Sequence, residues 1–351
     1  MKSTPGQPDM PNLFLYADRP EEKGTELNID FHNHFYPRAY LDELGKGRGY
    51  ARVEKDAHGR LLIHYEGDYN IVVGPHIDLE ARLEDMDRCG IDMQVLTLTT
   101  PSVERESPER GIRLAELAND GFGEIVERHP DRFTALAALP LQDPVAAADE
   151  LERGVRERGL SGGTLMSNVG GRPLDSEEFM PVYEAAVSLD VPLFIHPTSP
   201  INSKAMADYR LVPILGFGMD TTLLVLRLVF GGVLKRLPGL KLVASHLGGV
   251  FPYLRGRIET GFNAYPECKA RISEPPSTYL KRIWMDSIIY NQDVLMSAIA
   301  FSGAEKIVLG SDHPHQIGDI ANAVERIKKL DISEGDKEKI LGGNAAELLK
   351  L

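Results

Sequence analysis

Short, near-continuous apolar runs alternate along the chain with amphipathic stretches. The alternation predicts strands at residues 27–34, 91–99, 133–139, 163–167, 192–196, 241–246, 283–289 and 306–311. Runs such as Val191-Pro192-Leu193-Phe194-Ile195 lack an apolar–polar repeat of two. That is the pattern of parallel strands buried on both faces. Helices are expected between them at 79–89, 108–129, 144–158, 176–189, 219–234, 251–264, 293–301 and 318–330. Pro108 and Pro144 suit a first helical turn, Asp175-Ser176 and Asp293 suit helix starts, and Gly90 stops the 79–89 stretch.

Eight strands alternating with helices predict the α/β class and a (β/α)₈ barrel. A doubly wound open sheet competes, but no GxGxxG follows the first strand, which removes its usual dinucleotide-binding form. Two segments interrupt the alternation. Residues 46–77 read as a β-hairpin inserted after strand 1, turning at Asp56-Ala57-His58-Gly59, and residues 331–351 read as two extra C-terminal helices. Residues 1–25 are polar and rich in Pro, Asp and Glu and read as an N-terminal arm, leaving 26–351 as a single domain.

Composition narrows the function. The chain has 351 residues, 42% of them hydrophobic, enough for a sizeable core. With 39 Lys+Arg against 52 Asp+Glu the net charge is −13, a field that repels nucleic acid and anionic lipid, so neither is expected as a partner. No apolar run is expected to approach the ~20 residues of a membrane span. The first residues lack the apolar stretch of a secretory signal, so a cytoplasmic location is expected. Cys89 and Cys268, without a CxxC, exclude a disulfide framework and a thiolate zinc site.

The candidate chemistry lies at strand ends. In Asp30-Phe31-His32-Asn33-His34, residues i and i+2 point to one face, so His32 and His34 project together and are placed to share a divalent metal. Strand 5 ends in His196-Pro197, strand 6 in Ser245-His246-Leu247-Gly248-Gly249, and strand 8 in Gly310-Ser311-Asp312-His313-Pro314-His315. In a barrel these positions share the C-terminal mouth, where active sites lie. Nitrogen and oxygen donors without thiolate indicate a catalytic site with room for water rather than a closed structural one. His58, His64, His76 and His129 fall on inferred loops or the hairpin and read as solvated.

His32-Asn33-His34 with Pro37, His196, His246-Leu247-Gly248-Gly249 followed by Phe251-Pro252-Tyr253-Leu254, and Gly310-Ser311-Asp312-His313-Pro314 together resemble the amidohydrolase superfamily. The resemblance is to its aminocarboxymuconate-semialdehyde decarboxylase-like branch and runs from about Asp30 to Leu349. It implies an amidohydrolase-type TIM barrel with His32, His34, His196 and Asp312 as ligands of one divalent metal ion, zinc being expected and manganese the alternative. It also implies His246, the unligated strand-6 histidine, as acid or base, with Asp312 the other catalytic residue, and a homodimer in which Arg257 grips a substrate carboxylate from the neighbouring subunit. His313 and His315 read as pocket lining or loop packing. Where the name-giving enzymes carry two further arginines, this chain has Asn70 in the hairpin region and Tyr265, which removes much of the grip on a dianionic muconate.

The resemblance thus implies a metal-dependent non-oxidative decarboxylase of an aromatic or unsaturated, muconate-like carboxylic acid, with Arg257 and Asn70 at the substrate. The alternative is a hydrolase that uses the same site to cleave an amide, a lactone or a carbon–carbon bond of a ring-cleavage product. No lysine follows strand 4 in Gly162-Gly163-Thr164-Leu165-Met166-Ser167, which favours one metal over two.

Overall fold

Every predicted apolar run contributes a strand to the computed structural model, which describes residues 27–47 and 49–351. The barrel strands are β1 (Ile29–His34), β2 (Met93–Thr97), β3 (Phe133–Ala135, then Ala137–Ala138), β4 (Gly163–Met166), β5 (Pro192–His196), β6 (Lys241–Ala244), β7 (Trp284–Asp286) and β8 (Ile307–Val308, then Gly310–His313). All neighbours pair in parallel. One ladder runs β8–β1–β2–β3 and the other β3–β4–β5–β6–β7–β8, so the two interrupted strands belong to both. At the interruptions Leu136 N donates to Leu96 O (3.0 Å) and Phe31 N to Leu309 O (2.8 Å), which closes the barrel.

The strands are buried on both faces, as their unbroken apolar runs require. Inside, Ile29, Phe31, Met93, Val95, Leu136, Phe194, Val243 and Val308 fill the N-terminal half, with Phe31 edge-on to Phe194 at 5.6 Å. Ala345, Leu348 and Leu349 of the last helix, Asn344–Leu349, pack on the same cluster and cover that end. The interior is therefore a packed plug, and chemistry is confined to the opposite mouth. Helices Pro108–Arg128 and Pro144–Arg158 start where Pro108 and Pro144 predict, capped by Ser107 and Asp143. Asn291, rather than Asp293, caps helix Gln292–Ser302, accepting from Asp293 N at 2.9 Å.

The insertion is a three-stranded antiparallel sheet, Arg52–Lys55, Leu61–Tyr65 and Asp68–Val72. The strand beyond the expected hairpin follows a two-residue turn, Glu66-Gly67, which Gly67 allows at φ +86°. At the C-terminus, helices Glu334–Glu338 and Asn344–Leu349 run into each other through a π-helical turn, Lys339–Gly343. The expectation about apolar runs is corrected by Val212–Phe230, whose 19 residues are long and apolar enough for a membrane span. Half of that stretch is buried against the protein, and it carries Asp220, hydrogen-bonded to Ser167 and Asn168. It serves as a barrel helix. The predicted arm, 1–25, lies outside the described residues.

Candidate active site

The strand-end residues converge. His32 and His34 end β1, His196 ends β5, and Asp312 stands in β8. His32 Nε2 lies 3.1 Å from His34 Nε2, and Asp312 Oδ1 lies 3.1 Å from His34 Nε2 and 3.6 Å from His32 Nε2. Ligand atoms of His32, His34 and His196 all fall within 4.8 Å of one another.

The remaining ring nitrogens decide what this convergence means. His32 Nδ1 is 2.5 Å from Asp286 Oδ2, and His196 Nδ1 is 2.8 Å from Pro197 O; both oxygens can only accept. Thr97 Oγ1 gives its own proton to Asn33 O at 2.7 Å, so it accepts from His34 Nδ1 at 3.1 Å. Each Nδ1 therefore carries a proton, which leaves Nε2 of each ring, when neutral, as the lone pair that can ligate. With the rings neutral, three lone pairs and a carboxylate face one another. Such a cluster repels itself unless a cation sits among the donors, so the residues fit a divalent metal.

At His34 and His196 burial and charge act in the same direction. Burial, with the neighbouring histidines, pushes His34 and His196 well below the ordinary imidazole range and so holds them neutral, as ligands must be. Burial also pushes His32 down, but its hydrogen bond to Asp286 and the nearby carboxylates lift it above the ordinary value. Burial alone would raise the Asp286 carboxyl, yet His32, His246 and the backbone N–H donors hold it low. Sequence reasoning missed Asp286. Its signal is a carboxylate inside the apolar run 283–289, where only a paired charge survives burial.

His246 follows β6 in a turn where His246 and Leu247 both have φ +53°. Asp286 holds that strained turn, accepting from His246 N (2.8 Å), Leu247 N (2.9 Å) and Ile288 N (3.0 Å). The ring lies 5.0 Å from His32 and 6.5 Å from the stacked Phe217, and its Nε2 is 4.0 Å from Asp312 Oδ2. Its Nδ1 has no hydrogen-bond partner among the described residues. Burial and the His32 charge lower its pKa, partly opposed by Asp312 and Asp286.

His315 sits at the edge of the cluster, its ring 4.8 Å from His34 and a ring nitrogen near Asp312. His313 is buried and paired with Asp85 at 3.0 Å. The solvated reading of His76 is corrected: it is buried (1% exposed), accepts from Val73 N at 3.1 Å and packs on Tyr36 and His315. The segment that carries it is tied to the end of β1, Tyr36 N donating to His76 O at 2.7 Å, a contact between distant stretches that the local sequence does not show. His64 is partly buried and pairs with Glu54 at 2.7 Å. Asn70 is buried, donating to Tyr36 Oη (3.2 Å) and to Thr100 O, so it ties the insertion to the barrel. Arg257 is exposed on helix Phe251–Ala264 and makes no ion pair among the described residues.

Imidazoles and a carboxylate gathered at the mouth of a (β/α)₈ barrel, in an arrangement that fits a divalent ion, define a class of metal-dependent enzymes. The Amidohydrolase family model matches residues 29–351, and the chain belongs to that family. It is 33% identical over 334 residues to 2-amino-3-carboxymuconate-6-semialdehyde decarboxylase of Dictyostelium discoideum, covering 93% of this chain and 92% of that protein. It is 34% identical over 293 residues to gamma-resorcylate decarboxylase of Polaromonas sp. strain JS666, covering 78% of this chain and 87% of that one. A crystal structure of dihydroxybenzoic acid decarboxylase from Polaromonas sp. JS666, with bound manganese and the inhibitor 2-nitroresorcinol, superposes with a TM-score of 0.76 at 28% identity. That match covers 93% of this chain and 98% of the other.

Proposed function

We propose that this chain is a metal-dependent non-oxidative decarboxylase of an aromatic or unsaturated carboxylic acid, with His246 moving the proton. The observation that carries the reading is the contrast among the imidazoles. Those of His32, His34 and His196 are locked by their Nδ1 partners, whereas His246 stands beside Asp312 with an uncommitted nitrogen. A divalent ion held by His32, His34, His196 and Asp312 would polarise the bound acid and offset its negative charge. His246 delivers a proton to the carbon that bears the carboxylate, using a pair of π electrons. The electron pair of the C–CO₂ bond then returns to the conjugated system and carbon dioxide leaves.

Names of the relatives span aromatic and muconic acids, and the chain's own residues divide between the two classes, since many phenolic-acid decarboxylases have Glu where this chain has His32, while Asn70 and Tyr265 lack the cations that would grip a dianionic muconate. Asn70 brings no charge and would exchange one of its present hydrogen bonds to reach a substrate, while Tyr265 is exposed on the outside. Phe217, stacked by His246, suits a flat ring. Zinc is the ion expected from three imidazoles and a carboxylate, and manganese is supported by the Polaromonas structure.

A homodimer in which Arg257 reaches the adjacent site accounts for an exposed guanidinium, without an ion pair among the described residues, one turn from the exposed Tyr253. The neighbouring helix exposes Ile214, Leu215, Met219 and Leu223, apolar area that a second copy would cover.

The test combines metal analysis with product analysis over a panel of hydroxybenzoic and muconic acids. One bound ion per chain and release of carbon dioxide with a single organic product are expected. A second organic fragment in place of carbon dioxide would establish the hydrolase alternative. Chelation should abolish turnover and Mn²⁺ or Zn²⁺ should restore it; turnover that survives complete chelation would reject the metal role.

A further inference from the structure

Three of the proposed ligands, His32, His34 and Asp312, stand on β1 and β8, the strands that join the two ends of the barrel. The register of β1 breaks near His32, and the consecutive residues Phe31 and His32 both meet Phe194, at 5.6 and 4.9 Å. This irregularity turns Asp30 and Asn33 away from the metal donors and towards helix Leu79–Cys89. On that helix Arg82 and Asp85, three residues apart, share a face.

Arg82 is fully buried. Its guanidinium donates to Pro75 O (2.9 Å), Asn33 Oδ1 (3.0 Å), Gln94 Oε1 (2.6 Å) and His34 O. No carboxylate touches it among the described residues; Asp30 is reached through Gln94 Nε2, 2.8 Å from Asp30 Oδ2. Asp30 accepts from Ser311 N (3.0 Å) and Ser311 Oγ (2.6 Å), and Ser311 Oγ accepts from His313 N (3.1 Å). Asp85 takes the other end of His313, at 3.0 Å from its Nε2. Both chain neighbours of Asp312 are thus held, while Asp312 itself has φ +59°, a left-handed conformation uncommon for residues other than glycine.

A buried cation without a contacting counter-ion is a poor way to gain stability, since apolar residues of similar volume usually do as well or better. What the network secures is geometry. We propose that Arg82 and Asp85 are positioning residues that clamp β1 to β8 and set the affinity and coordination geometry of the metal site. The proposal rests on the metal-site reading above.

The test uses the full chain with Mn²⁺ alone, titrated by electron paramagnetic resonance, and Co²⁺ alone, read by visible absorption. Gln94→Leu and Asp85→Asn, shown folded by circular dichroism, should bind Mn²⁺ about 10–100-fold more weakly and alter the Co²⁺ spectrum. KM for the acid at saturating Mn²⁺ should stay unchanged. Arg82→Lys should keep part of the affinity that Arg82→Met loses; if Arg82→Met does not fold, the Gln94 and Asp85 variants decide the matter. Glu150→Gln removes a carboxylate from a separate buried cluster, with Asn119 and Arg153, and controls for lost stability. Wild-type Mn²⁺ affinity and Co²⁺ spectra in the Gln94 and Asp85 variants would overturn the clamp alone, as would equal weakening in Glu150→Gln. Failure of the wild-type chain to bind either ion would overturn the metal reading and the clamp with it.

Discussion

At the scale of single residues, chemistry follows from which ring nitrogen already has a partner. His32, His34 and His196 spend Nδ1 on Asp286, Thr97 and Pro197, and so can only offer Nε2. His246 is not fixed in this way. His246→Ala is therefore expected to bind the metal with near-normal stoichiometry while turnover falls by a factor of about 10²–10⁴, the usual contribution of a general acid or base. Asp312→Ala is expected to lose both bound metal and turnover. Metal analysis beside the carbon dioxide assay separates the two, and turnover retained in either variant rejects the role assigned to it. The donors themselves were legible in the sequence as polar residues ending apolar runs. Arg82 and His76 were not, because each is made important by a partner far away in the chain, and Asp286 showed only as a carboxylate inside an apolar run.

Among the elements, the segment after β6 shows how backbone geometry serves the site. His246 and Leu247 occupy left-handed conformations, and Gly248 and Gly249 follow at φ +74° and +69°. A Cβ at position 249 would lie 2.2 Å from Gly218 O. Gly249→Ala is accordingly expected to destabilise the fold by more than ~1 kcal/mol and to displace the His246 turn. Denaturant unfolding should show the loss, and activity should fall further than the folded fraction does. An Ala variant with wild-type stability and activity would contradict the strain. Strand and helix order could be read from periodicity, but the strand ends could not. The predicted strand 241–246 stops at Ala244 because Asp286, on the next strand, pulls the His246 and Leu247 N–H groups out of the ladder.

For the whole molecule, the exposed apolar helix face and the exposed Arg257 lead to a concentration-dependent prediction. Light scattering should give a dimer mass, and Arg257→Ala should raise KM for the acid with little change in metal content. A strictly monomeric, fully active protein would remove the role proposed for Arg257. By itself, the amino-acid order determined the eightfold alternation, the acidic surface charge and the placement of His32, His34, His196, His246 and Asp312 at strand ends. Those features are local, set by side-chain periodicity and composition. Only the tertiary structure decided which nitrogens carry protons, how Asp286 and Arg82 brace the donors, and that His76 lies inside. Hydrogen-bond direction and burial arise mostly when segments tens to hundreds of residues apart are packed against each other, as His34 with Thr97 and His32 with Asp286.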